Sequence, residues 1–236
     1  MTDFVELNQA GLCAIDSHEY MKAVRSYRSA MESLNEERKS IRHRPQTPLD
    51  GVPRVPAVFR ALAIPLELDE CVGSYFTDST ASQDGQFVLY DVAFLIDFQD
   101  LVYAYPFVAT TILYNMALAV HLDGLEHPNH LRLQRAKRMY ETALNYFTST
   151  AKRCVLQHTR TRECRLLFFA IANNHGHCCA LLSDADGTLR AQRMLEHLLS
   201  DPYSLEDLGK QDERFFRMSI IIGTLRNNTS SLPPAA

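Results

Sequence analysis

Residues 61–131 contain no Lys or Arg at all. The same stretch carries ten acids: Glu67, Asp69, Glu70, Asp78, Asp84, Asp91, Asp97, Asp100, Asp123 and Glu126. Of the 28 acids in the chain, 18 therefore remain to face all 24 bases elsewhere, so a net charge of −4 divides into an acidic middle and flanks near +6. Two readings follow. The middle is either an acidic face offered to a basic partner or the counter-charge to its own flanks within one fold. Charge blocks of this density are usually solvated, which favours the second.

Other absences narrow the function classes. The six cysteines form no C-x-x-C pair and no framework spacing, and 236 residues need no disulfide staples, so reduced thiols in a cytoplasmic or nuclear setting are expected. The opening Met-Thr-Asp-Phe lacks the basic and then apolar order of a secretory signal. The longest mostly apolar stretch, Phe107 to Val120, carries Thr110, Thr111 and Asn115 and is shorter than the roughly 20 residues that span a bilayer, so no membrane partner is expected. A pI near 6.1, with no aromatics interleaved among the basic stretches, argues against nucleic acid. No phosphate loop, G-x-S-x-G elbow, H-E-x-x-H or dinucleotide fingerprint occurs, so no catalytic residue is assigned and the chain is read as a non-enzyme.

One cluster, "NNHGHCC" at 173–179, invites a metal. His175 and Cys179 are four apart and share a helical face, but adjacent residues on a helix diverge by about 100 degrees. His177 and Cys178 therefore cannot join them on one ion unaided, and neither metal nor cofactor is expected. Arg38, Lys39, Arg42 and Arg44 read either as an import or phosphate-binding patch or as cations at a helix C-terminus. Thr47-Pro48 is a short proline-directed modification pattern.

What the chain does have is helical periodicity. Tyr20, Ala23, Val24, Tyr27, Ala30, Met31 and Leu34 recur at steps of three and four, predicting a helix over 19–38. Phe4, Leu7, Gly11, Ala14 and Ile15 predict a shorter one, packed antiparallel across the Asp16-Ser17-His18 break. A second pair is predicted over 105–150, with Ala136, Met139, Tyr140, Ala143, Leu144 and Phe147 on one face. A third occupies 160–200, breaking at Ser183–Gly187 and resuming from Leu189. A last helix covers 207–226, before a disordered tail at 227–236. Between the first two pairs, "RHRPQTPLDGVPRVP" holds four prolines, which makes 41–60 a surface linker. Period-two alternation at Leu62–Leu68 and Val88–Phe98 then predicts a β-hairpin insertion over 61–100, joined by the polar loop 77–85 and packed by one face on the helices.

The three pairs share a pattern. Asn8-x-x-Gly11, Asn115-x-x-Leu118 and Asn173-x-x-Gly176 sit alike on the first helices, and Ala23, Tyr27 and Ala30 align with Ala136, Tyr140 and Ala143 on the second. Gly11, Ala23, Tyr27 and Ala30 have the spacing of a tetratricopeptide repeat, which the first unit resembles. The run "LYNMALAVHLDGL…AKRMYETALNYF" with "AIANNHGH" is also similar to divergent tetratricopeptide-like proteins of diatoms and related algae. The resemblance implies a mainly α fold, antiparallel helix pairs in a superhelical array, carrying the β-hairpin insertion in a single domain. It also implies that small residues stand where paired helices cross. Unit two has a longer loop and the repeat is not every 34 residues, so the match covers about half the chain.

The same resemblance implies a protein-interaction scaffold or adaptor that binds a protein or peptide in a concave groove. Groove contacts come from the first helices, which would expose Asn8, Leu12, Asn115, Ala119, Asn173 and His177. Buried asparagines there would bond either a peptide backbone or neighbouring helices. The alternative is a small-ligand sensor or enzyme with a pocket between helices and hairpin, using His175, His177 or Cys179. Where related domains hold acidic chaperone tails with Lys, Arg and Asn, this chain has Asn8, Leu12, Met116, Ala170 and Asn174. A carboxylate-ended peptide finds no cation there and loses charge-assisted hydrogen bonds of about 1.5–3 kcal/mol each. A labelled chaperone-tail peptide is thus predicted to show no micromolar binding by fluorescence anisotropy at low salt.

Overall fold

The computed structural model describes residues 3–43, 60–65, 87–97, 101–151, 162–201 and 208–229. It is mainly helical. The apolar steps of three and four become α1 (Asp3–Asp16), α2 (Tyr20–His43), α3 (Leu101–Glu126), α4 (His130–Ala151), α5 (Arg162–Leu181), α6 (Ala185–Ser200) and α7 (Lys210–Thr229). Consecutive helices pack on one another, and α1, α3 and α5 also touch in succession. On α2 the whole predicted stripe from Tyr20 to Leu34 is buried apart from Met31, which packs against the core at partial burial. Helix α3 has no polar face because it is covered all round, by α1, α2, α4, α5 and the strand segment. Among the described residues it is the one helix long and apolar enough to cross a membrane, and most of that span is buried inside the protein.

Two of the three pairs turn in the same way. Glu19 N–H bonds Ala14 O across six residues while His18 N–H bonds Ile15 O. Asp184 N–H and Ser183 N–H repeat those bonds to Cys179 O and Ala180 O. This is the Schellman arrangement, and its left-handed residue is His18 (φ 57°) in one turn and Ser183 (φ 56°) in the other. Asn8, Gly11 and His18 are each 165 positions before Asn173, Gly176 and Ser183. The second turn contains Pro128, which has no N–H to give, and only the longer bond from Asn129 N to Gly124 O is made, at 3.4 Å.

Several boundaries differ from the sequence reading. Helix α2 runs to His43, into the predicted linker, and a strand begins at that linker's last residue, Arg60; Thr47-Pro48 and the rest of 44–59 lie outside the described residues, as does the loop 77–85. The third break is shorter, because Asp184 caps α6 by accepting Gly187 N–H at 2.9 Å and the helix starts at Ala185. Helix α7 continues to Thr229, so the predicted tail is helical at its start. Strands β1 (Arg60–Pro65) and β2 (Val92–Asp97) pair antiparallel, with Arg60 opposite Asp97 and Pro65 opposite Val92. The segment around β2 is not packed by one face alone. Phe87, Leu89, Tyr90, Ala93, Phe94 and Ile96 are all buried, from both sides of the alternation. Helices cover one side and β1 is paired along its length.

Small residues mark close approaches. A methyl on Gly11 would stand 2.5 Å from Cε1 and Cζ of Tyr27, a ring that is itself fully buried. Gly11→Ala should therefore lower stability by about 1–2 kcal/mol in urea unfolding, overpacking outweighing the better helix propensity of Ala. Tyr27→Phe should be neutral or stabilising, because the buried Tyr27 hydroxyl has no hydrogen-bond partner among the described residues.

Candidate functional site: an asparagine-lined groove

An extended main chain needs a partner for every second residue on each edge, since N–H and C=O of one residue point the same way. Along one edge of residues 88–94 those partners are side chains from helices. Phe94 N–H donates to Asn115 Oδ1 at 2.9 Å, and Asn115 Nδ2 donates back to Phe94 O at 2.7 Å. Four residues earlier the same two-bond ring recurs. Tyr90 N–H donates to Asn174 Oδ1 at 2.8 Å, and Asn174 Nδ2 returns to Tyr90 O at 2.9 Å. Between the two rings Tyr114 Oη donates to Val92 O at 2.8 Å, and before them Asn173 Nδ2 donates to Val88 O at 2.7 Å. Asn8 Nδ2 adds a second donor to Phe94 O at 3.2 Å, and its Oδ1 accepts from Asn115 Nδ2 at 3.1 Å. Residues 88, 90, 92 and 94 are thus all bonded by α1, α3 and α5.

The spacing has a physical basis. Four extended residues advance about 13 Å, so two helices holding residues 90 and 94 must present their amides at that interval. Asn115 on α3 and Asn174 on α5 do so. Asn8, Asn115, Asn173, Asn174 and the ring of Tyr114 are all shielded from water, where an unpaired amide is costly and a matched one is strong. The clamp carries no formal charge.

Side chains of the segment enter neighbouring sockets. The Phe87 ring lies on the backbone of Gly176, where a methyl would meet Phe87 Cζ at 2.7 Å and Ala191 Cβ at 2.9 Å. Tyr90 packs against Phe215 and Phe216 of α7, with ring centroids 5.1 and 4.9 Å away, and its hydroxyl donates to Asp212 Oδ1 at 2.9 Å. Phe94 meets the edge of Tyr114 at 5.3 Å.

Asn8, Asn115 and Asn173 thus share one face, as the repeat pattern placed them, but none is exposed, because the chain's own segment fills that face. Leu12, Ala119 and His177 are also buried. The sequence reading missed the equivalence of Asn174, not Asn173, with Asn115. It also missed Tyr114. The doubled asparagine was the available signal, since either residue fits the pattern.

Of the residues of the alternative site, His175 and Cys179 meet and His177 lies apart from them. His175 Nε2 lies 3.3 Å from Glu141 Oε1 and 3.6 Å from Cys179 Sγ, and it lines a cleft of about 270 Å³ with Arg190, Ala191 and Met194, between α4, α5 and α6 rather than beside the strands. Burial pushes the Cys179 thiol up to about 12, so it is protonated at neutral pH and a weak nucleophile. His177 instead packs at a tilt against His121, centroids 5.0 Å apart. Among the described residues no three His, Cys, Asp or Glu side chains group to hold a metal ion. The chain matches no family model, no curated protein and no solved structure.

Removing Asn115 strands Phe94 N–H and Asn8 Oδ1, while Asn8 still serves Phe94 O; removing Asn174 strands Tyr90 N–H and leaves Tyr90 O only the longer bond from the Tyr114 hydroxyl, each stranded group costing about 1–3 kcal/mol. Asn115→Ala and Asn174→Ala should each lose about 2–4 kcal/mol in urea unfolding, and Asn8→Ala only about 1, because Asn115 still serves Phe94 O. The Asn115→Ala/Asn174→Ala pair should cost less than the sum, since both hold one segment.

Burial holds the His177 imidazole down to about 4 and lowers that of His121, with the neighbouring His177 adding to the effect. A folded-state value below the unfolded 6.5 means stability is complete above pH 6.5 and is lost as pH falls toward 4, because the unfolded chain takes up the protons. The melting temperature should therefore drop between pH 7 and 5, with a shallower slope in His177→Gln; an unchanged slope would remove His177 as the cause.

Proposed function

We propose that this protein is an interaction scaffold: a tetratricopeptide-like helical array whose concave groove, lined by α1, α3 and α5, grips an extended polypeptide by its main chain. The observation that carries this reading is the repeated two-bond asparagine ring at Tyr90 and Phe94. Such rings read N–H and C=O alone, which any sequence in extended conformation supplies, so the chemistry is that of peptide recognition rather than of reaction. In the described state the gripped peptide is residues 87–97 of the same chain. A partner segment enters the groove by exchanging with it, and the scaffold is closed until that exchange occurs. The clamp is neutral, which fits a partner held by backbone and apolar side chains and not one held by an acidic tail.

Exchange requires that the segment leave while the helices stay folded. Native-state hydrogen exchange reads this directly. The Tyr90 and Phe94 amides should exchange at least tenfold faster than amides in the middle of α3, reflecting local opening. Equal rates for all of them would mean that the segment leaves only on global unfolding and that the groove is a closed part of the core.

A further inference from the structure

The occupant of the groove also reports what the groove selects. Resting on the reading above, we propose that its ligand is an internal segment of a partner protein, in extended conformation, with aromatic side chains at the first, fourth and eighth positions, as Phe87, Tyr90 and Phe94 stand in the chain's own segment. Each position has its own socket. The first is floored by the backbone of Gly176, so a flat ring lies where any side chain at 176 would collide with it. The fourth is walled by Phe215 and Phe216 and ends at Asp212 Oδ1, which accepts a phenol hydroxyl at 2.9 Å, so Tyr fits better than Phe. The eighth is the fully buried site against the edge of Tyr114.

Main-chain capture sets the register and the ligand's internal position. Asn174 and Asn115 take N–H and C=O from the fourth and eighth residues, which therefore must both lie within a continuing chain. Among the described residues the clamp groups are amides and one phenol hydroxyl, none of them a cation that would meet a terminal carboxylate. At the fifth position burial pushes the Asp91 carboxyl up, so an acid there is tolerated rather than rewarded.

Two peptides of residues 86–98 test this, one parent and one with Ala at the three aromatic positions, each labelled and capped at both ends. They are titrated into wild-type protein and into full-length Phe94→Ala and Phe87→Ala variants, whose own segments are weakened. A cis occupant lowers apparent trans affinity by the fraction of groove it leaves free. The parent peptide should thus bind at least one variant tenfold or more tightly than wild type and raise that variant's melting temperature, which also reads a partly unfolded sample. The Ala-substituted peptide should bind at least tenfold more weakly, and freeing the C-terminal carboxylate should change nothing. A Tyr-to-Phe change at the fourth position should weaken binding, and Asp212→Ala should erase that difference. Equal binding of parent and Ala-substituted peptides, or no binding to either variant, overturns the proposal. If hydrogen exchange nevertheless shows local opening, the groove reading survives and only the aromatic code fails; without opening both fall together.

Discussion

Every main-chain N–H and C=O taken out of water must find a partner, and that constraint organises this protein. The segment 87–97 crosses a helical core, where neighbouring elements have already used their own backbone groups internally. A helix has none to lend except at its ends, so only side chains can pair with a strand laid across helix flanks. Asparagine is suited to the task because its amide has the geometry of a peptide group, with a donor and an acceptor side by side. Four asparagines and one tyrosine complete what a second strand would otherwise supply. The helices therefore do two jobs at once: they bury apolar faces against one another, and they offer a strand-like edge to whatever lies across them.

This arrangement explains the composition of α3 and α5. An amphipathic helix needs one apolar stripe, but α3 and α5 are buried along most of their length, and several of their polar residues are buried with them. Tyr114, Asn115, Asn173 and Asn174 would look misplaced on a helical wheel that assumes a solvent-facing side. Gly176 belongs to the same logic, since the strand's Phe87 needs its ring against bare backbone. The second helices of each pair, α2, α4 and α6, keep ordinary exposed faces. Some of their charges pair locally, as Lys137 does with Asp184 at 2.5 Å. The acidic middle also finds one basic neighbour inside the fold, because Arg132 reaches the buried Asp123 at 2.6 Å.

The helix pairs were legible because periodicity and burial share a cause: Tyr20 to Leu34 repeat at helical steps since that face meets α1 and α3. That Gly11 stands where paired helices approach was implied by the resemblance, but that the Tyr27 ring is what lies against it was not. The asparagines that bond the segment were legible as a set, Asn8, Asn115 and Asn173, because the repeat places them alike. Their occupant was not, since nothing local in "FVLYDVAFLID" says that its partners lie on helices 21 to 86 residues away. Alternation suggested one buried face, and it failed because both faces of this segment are covered. The start of α6 was expected at Leu189 and lies at Ala185 because Asp184 caps it, and a cap is set by a single side-chain bond rather than by any period.

The sequence distance between the clamp and what it holds has a consequence for biosynthesis. Tyr90 and Asn174 are 84 positions apart. At about 5–20 residues per second, the ribosome delivers the asparagine some 4–17 s after the tyrosine. Over that interval Phe87, Leu89 and Tyr90 have left the tunnel while the socket that shields them is still unmade. The nascent chain passes through a stage in which an aromatic, strand-forming stretch is made but has not yet met the α5 side chains that bond it.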